Sequence, residues 1–316
     1  MCWLLLGLAS GLGLSAVAAE TKTNDVEFAT QGEYVGQILT PEGPRAIGTQ
    51  VIALGDGKFR ARCFFGGLPG DGWDGSPPRE ADGELQEGVA VFQQEEYSAK
   101  ISQGSMVILG PFNLKLGEIP KADRKSPTLG ATPPAGAIVL FGGSTTNDFT
   151  PGRLTDDGSL EAGQTSQQKF QNATLHIEFQ TPFKPTARGQ ERGNSGCYLQ
   201  GRYEVQVLDS FGLKGEHNEC GGIYELRAPS VNMCFPPLSW QTYDIDFTAA
   251  KYENDKKVKN ALITVRHNGV LVQQDTELTR ATRAAPLAEG AEPGPLYLQD
   301  HGNPVRFRNI WVLPKN

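Results

Sequence analysis

Short runs of β-branched and aromatic residues recur along the whole chain, and Gly, Pro, Asn or Asp separates one from the next. Helical apolar spacing is scarce. The 38 Gly and 21 Pro lack the G-X-Y period of collagen, so they read as turn punctuation between strands. That pattern predicts an all-β protein of sandwich or barrel type. A chain of 316 residues is long enough to bury a core without staples. An apolar content of 38 % excludes a disordered chain. The net charge of −7 argues against a nucleic-acid partner, which would meet a basic face. There is no P-loop and no GxGxxG after a strand, so a nucleotide partner is not expected either. Serine-hydrolase GxSxG and zincin HExxH motifs are also absent.

Residues 1–18 read as a secretory signal peptide. Leu4 to Ala18 is almost wholly apolar or small and ends in the small-x-small signal Ala16-Val17-Ala18. The run is shorter than the roughly 20 residues a bilayer span takes. A secreted or periplasmic location follows, with membrane contact only through an uncleaved signal. Cleavage removes Cys2 and leaves Cys63, Cys197, Cys220 and Cys234. Cys220 and Cys234 flank a turn-rich stretch containing Ala228-Pro229, and export permits a disulfide between them. Such a bridge would gain roughly 3 kcal/mol in the chain-entropy model. Cys63 and Cys197 sit in strand-like runs and read as buried thiols. No CxxC spacing suggests zinc.

Residues 25–118 carry strand candidates at Tyr34–Leu39, Gln50–Leu54, Lys58–Phe65, Gly88–Gln93, Tyr97–Ile101 and Ser105–Leu109, which predict a small β domain. Between them Leu68 to Pro78 is a Gly/Pro-rich exposed loop, and Trp73 is its candidate contact residue. Residues 119–136 form a Pro-rich linker. In residues 137–316 strands are expected at Ile138–Phe141, Ala173–Gln180, Ser195–Gln200, Tyr203–Leu208, Gly222–Leu226, Gln241–Phe247, Ala261–His267, Val270–Asp275, Pro295–Gln299 and Val305–Leu313. This density suits a two-sheet jelly roll. Asn268-Gly269 carries the strongest hairpin signal.

The segment Arg192 to Gly212 is the richest in chemistry. Two strands meet at a tight connection, Gln200-Gly201-Arg202. In the second, Tyr203, Val205 and Val207 face one side, and Glu204 and Gln206 face the other. A bulge near Leu208 would return Asp209 to the Glu204 side. Two carboxylates and an amide in a row suit sugar chemistry, although a solvated strand face has the same spacing. Asp300 beside His301 could orient an imidazole. His217, Glu219 and Tyr224 lie on a Gly-rich loop that could bind a sugar or a cation. His176 and His267 fall inside strand patterns and read as structural.

Four ordered segments, GNSGCYLQGRYEVQVLDS, CGGIYELRAPSVNMCFPPLSWQTYDIDF, the HNG hairpin and GPLYLQDHGNPVRFRNIWV, resemble the 3-keto-disaccharide hydrolase family over Ala137 to Pro314. The resemblance implies a concanavalin A-like jelly-roll sandwich and action on glycosides oxidised to a ketone at sugar C3. Such a ketone acidifies the C2 proton. A base removes it, the C1 substituent leaves, and water adds afterwards or the unsaturated sugar departs. On the faces read above, Glu204 is the first choice for base and His301 the second. Asp209 or His301 would serve as acid. Asn194, Gln206, Gln299, Asp300 and Tyr224 would hold the sugar. A divalent cation on Glu204, Asp209, Asp300 and His301 is a further expectation. A lectin-like binding module and a conventional glucanase-type glycosidase are the competing readings.

Overall fold

The computed structural model describes residues 26–315. The expected signal peptide lies outside the described residues. Among those residues, no helix is long and apolar enough to cross a membrane.

After a short helical turn at 26–30, strands β1 (Gly32–Thr40), β2 (Gly43–Gly55), β3 (Lys58–Phe65), β4 (Arg79–Gln86), β5 (Val89–Gln94), β6 (Tyr97–Ser102), β7 (Ser105–Leu109) and β8 (Lys115–Ala122) follow in order. Each pairs antiparallel with the next, and β8 returns to β1, which closes a barrel. Period-two alternation turns Tyr34, Val51, Phe59, Ala90, Phe92, Ile101, Met106 and Ile119 into its core. The strand β4 escapes a sequence reading because its inward residues are Ala81, Gly83 and Leu85. Gly83 looks like punctuation, yet a Cβ there would stand 2.5 Å from the Phe92 ring. The strand β8 runs past the boundary expected at residue 118. The Leu68–Pro78 loop is less open than expected. Leu68 is fully buried. Trp73 packs edge-on against Phe64 at 5.4 Å and donates its indole N–H to the Ser76 carbonyl.

The remaining strands are β9 (Ile138–Phe141), β10 (Phe149–Thr150), β11 (Leu160–Glu161), β12 (Gln164–Phe170), β13 (Asn172–Gln180), β14 (Ser195–Leu199), β15 (Tyr203–Val207), β16 (Trp240–Thr248), β17 (Lys251–Glu253), β18 (Lys256–Lys259), β19 (Ala261–His267), β20 (Val270–Leu278), β21 (Gly294–Leu298) and β22 (Arg306–Lys315). They form the expected all-β jelly-roll sandwich. A five-stranded sheet, β10-β12-β21-β14-β15, faces a larger one, β11-β22-β13-β16-β19-β20, with β9 beside β22. Leu175, Ile177 and Phe179 of β13 meet Tyr203, Val205 and Val207 of β15 in the shared core. The β19–β20 turn is the expected Asn268-Gly269 hairpin, with φ of 50° and 80°.

Two expectations need correction. Cys220 and Cys234 are buried free thiols, not a disulfide. Cys220 Sγ lies 3.1 Å from the Tyr243 hydroxyl, and Cys234 Sγ 3.4 Å from the Leu208 carbonyl. Each sulfur already has an oxygen partner in a packed core. Gly222–Leu226 is a loop, not a strand. It runs along the free edge of β15, where Gln206 N donates to the Gly222 carbonyl and Gly221 N to the Gln206 carbonyl. The loop thereby covers an edge that would otherwise be unpaired.

The Pro-rich linker is strapped across the outer face of the larger sheet. Ser126 Oγ meets Thr242 Oγ1 at 2.6 Å, and Thr128 donates to Asp244 at 2.7 Å. The Gly130 N–H donates to Glu178, and the Ala131 carbonyl accepts from the Asn309 amide and the Trp311 indole. His176, buried as expected, sits beneath this strap, stacked on Trp311 and 2.6 Å from Asp244.

The barrel and the sandwich share a polar seam. Arg62 donates to the carbonyls of Gly212 and Leu213, and Arg124 of the linker, paired with Glu33, lies over the Phe235 ring. Arg192 donates to the Ala53 carbonyl of β2 and is ion-paired with Asp209 at 2.8 Å. Ile52, from the barrel, is buried in the sandwich core.

Candidate active site

The face of β15 turned away from the core supplies the site. Register places Tyr198 opposite Glu204 and Gly196 opposite Gln206. Tyr297 of β21 stands beside Tyr198. Loops close over this patch and leave a polar cavity of about 270 Å³. Its lining includes Glu204, Gln206, Asn194, Tyr224, Gln299 and His301, all expected from sequence. It also includes Gln190, Tyr198 and Arg283, which sequence reasoning missed.

Glu204 is 2 % exposed. Its Oε2 accepts a hydrogen bond of 2.7 Å from the Tyr198 hydroxyl. Burial dominates over that bond and pushes the Glu204 carboxyl up to about 8. Burial, together with the neighbouring Glu204 charge, also raises Tyr198 and Tyr224 above the usual phenol range.

The Gln206 side-chain amide lies 2.8 Å from Glu204 Oε1. This amide can lie in two orientations, of which only the one with its nitrogen toward Glu204 also satisfies the Ser195 carbonyl oxygen 3.0 Å away. With its oxygen toward Glu204, it accepts the proton of a neutral carboxyl. With its nitrogen there, it donates to the carboxylate and to the Ser195 carbonyl. In the first orientation its nitrogen donates to Gln190 and Asn194.

Backbone proximity fixes where the carboxyl lies. A Cβ on Gly196 would stand 2.2 Å from Glu204 Oε1. Gly196→Ala must therefore displace the carboxyl, and kcat/KM is expected to fall roughly 10²-fold. Steady-state kinetics on the folded variant checks this, and an unchanged rate would show that the position of Glu204 is not critical.

Asp209 does not line the cavity. The chain leaves the sheet after Val207, and Ser210 N bonds back to the Leu208 carbonyl. No bulge returns Asp209 to the Glu204 face, and it turns instead to Arg192. Asp300 is also outside the cavity lining. It is exposed, and its Oδ1 accepts from Gly302 N at 2.9 Å, which makes it a turn residue. The expected four-residue cation set is thus split, with only Glu204 and His301 at the cavity. Among the described residues no group of three or more His, Cys, Asp or Glu is arranged to hold a metal. Glu219 accepts from the N–H groups of Gly215 and Glu216 and so shapes its own loop, while His217 is exposed.

Tyr198 was within reach of the sequence, because the tight connection at Gln200–Arg202 fixes its register against Glu204. Gln190 arrives on a 3₁₀ turn, Gly189–Glu191, and Arg283 on a loop, and no sequence spacing marks either.

The family model of the 3-keto-alpha-glucoside-1,2-lyase-like domain matches residues 136–313. The chain belongs to this family. The lyase-like domain is thus the sandwich that carries the cavity, and the barrel precedes the match. Among solved structures, a candidate glycosyl hydrolase from Parabacteroides distasonis ATCC 8503 is 34 % identical, with a TM-score of 0.53 over 58 % of this chain and 85 % of that one. A second from the same organism is 19 % identical, with a TM-score of 0.42 over 57 % of this chain and 94 % of that one. No curated protein matches.

Proposed function

We propose that this protein cleaves 3-keto-glycosides, with Glu204 as the base that removes the C2 proton. One observation carries the proposal. Among the described residues Glu204 is the only carboxyl lining the cavity, it is buried, and burial raises its pKa to about 8. A two-carboxylate glycosidase needs a second acid across the scissile bond. Elimination next to a ketone needs a single strong base. Family membership supports a glycoside-acting enzyme, and the 34 % identical structure bears the name of one.

The step balances as follows. The C2–H bond breaks and its proton passes to Glu204. The electron pair forms the C1–C2 double bond through the enolate of the C3 ketone. The C1–O bond breaks, and the departing oxygen takes a proton from His301 or water. Arg283, which is ion-paired with Glu225, supplies a cation for the enolate oxygen. Asn194, Gln206 and Gln299 offer amides to the sugar hydroxyls. Addition of water to the unsaturated sugar gives net hydrolysis, whereas its release makes the enzyme a lyase. The apolar N-terminal run supports a secreted or periplasmic setting.

The test is incubation with a 3-keto-disaccharide and, separately, its parent sugar, read by mass spectrometry. Cleavage of the keto form alone is expected. Equal cleavage of the parent would favour a conventional glycosidase, and binding without product a lectin.

A further inference from the structure

The inward rows of the barrel do not fill it evenly. Near the β2–β3 and β6–β7 turns, Phe59 and Ile101 pack closely. Toward the opposite end Ala61, Ala81 and Ala99 leave a cavity of about 160 Å³. Its walls are almost wholly apolar and include Phe65, Phe92 and Ile108, with the half-buried Cys63 among them. An apolar cavity of roughly 150 Å³ is large enough to hold a benzene molecule.

The same end of the barrel is unusually apolar on its outside. Leu39 flanks the β1–β2 turn, Tyr97 follows the β5–β6 turn, and Phe112 and Leu114 sit on the β7–β8 connection. All four side chains are exposed, Phe112 completely. The up-and-down topology places these connections around one mouth. Two of the charges near that mouth are ion-paired and a third is stacked on a ring. Arg45 pairs with Asp74 and Glu80 with Arg62, while Arg79 lies over the Phe65 ring. Arg79 is the one charge of the lining without an ion pair; the rest of the wall is almost wholly apolar, so an ion seated there would pay most of its desolvation cost.

We propose that the barrel is a second binding site, which holds one uncharged aromatic molecule of single-ring size and admits it past Tyr97 and Phe112. The site shares no lining residue with the Glu204 cavity. It lies outside the segment matched by the family model.

Fluorobenzene is the probe, used on the full chain. Saturable binding is expected by ¹⁹F NMR. Saturating probe should also slow alkylation of Cys63 by iodoacetamide at least fivefold, read by peptide mass spectrometry. Ala99→Phe fills the cavity and should abolish binding. An unchanged Cys63 rate overturns the proposal on the native chain alone, so the result does not depend on whether Ala99→Phe folds. Binding that survives in a folded Ala99→Phe variant but disappears in Phe112→Ser would place the probe on the rim and overturn the interior site.

Discussion

Glu204→Gln should reduce turnover by roughly 10²–10⁴-fold, the range general-base catalysis supplies, while the protein stays folded. The amide is isosteric and keeps partners in Tyr198 and Gln206. The pH profile of the native enzyme gives the sign of the role. Burial lifts the carboxyl to about 8, so at neutral pH the basic form is the minority species. If Glu204 is the base, kcat/KM climbs with pH and levels off above about 8. A profile that falls over the same window would make Glu204 an acid and end the proposed mechanism.

Stability should move the opposite way. The folded carboxyl holds its proton more tightly than the unfolded one, whose ordinary value is 4.5. Its favourable contribution is therefore complete below about 4.5 and is lost as pH rises to about 8. The loss is on the order of 5 kcal/mol. Glu204→Gln removes this dependence. The variant should melt above the native enzyme at alkaline pH, as thermal unfolding would show. A native enzyme at least as stable there would mean that the carboxyl is not desolvated.

Asp209→Ala should be the most destabilising single change at the seam between barrel and sandwich. It leaves the buried Arg192 guanidinium without its carboxylate, and breaking such a pair costs about 3–5 kcal/mol. Arg192 also holds the Ala53 carbonyl, so the damage reaches the barrel. A fall in melting temperature of roughly 10 °C is expected. The folded fraction should retain far more turnover than Glu204→Gln, because Asp209 does not line the cavity. Loss of turnover equal to that of Glu204→Gln, at unchanged stability, would return Asp209 to a chemical role.

The legible part of the site is the part governed by strand periodicity. Tyr203, Val205 and Val207 commit one face of β15 to the core, which forces Glu204 and Gln206 to the other. Periodicity stops at the strand end, and there the reading of Asp209 went astray. A polar side chain after Leu208 has the same spacing whether the strand bulges or the chain departs, and only the distant Arg192 decides between them. Asp300 and His301 are adjacent, yet a backbone N–H captures Asp300 while His301 reaches the cavity. The all-β class was legible from turn residues throughout. Strands such as β4 and β12 were not, because their inward positions are filled by Ala, Gly, Gln and Ser.

The strap over the larger sheet bears on how the catalytic half is to be isolated. A truncation cut where the family match begins, at residue 136, would strip away Ser126, Thr128, Gly130 and Ala131. Glu178, Asn309 and Trp311 would then lose backbone partners, and an internal surface would be laid bare to solvent. A cut after Ala122, where β8 ends, spares that lining and leaves the seam contacts, those of Ile52 and Ala53 among them, to be replaced, so the better excision point lies upstream of the homology boundary.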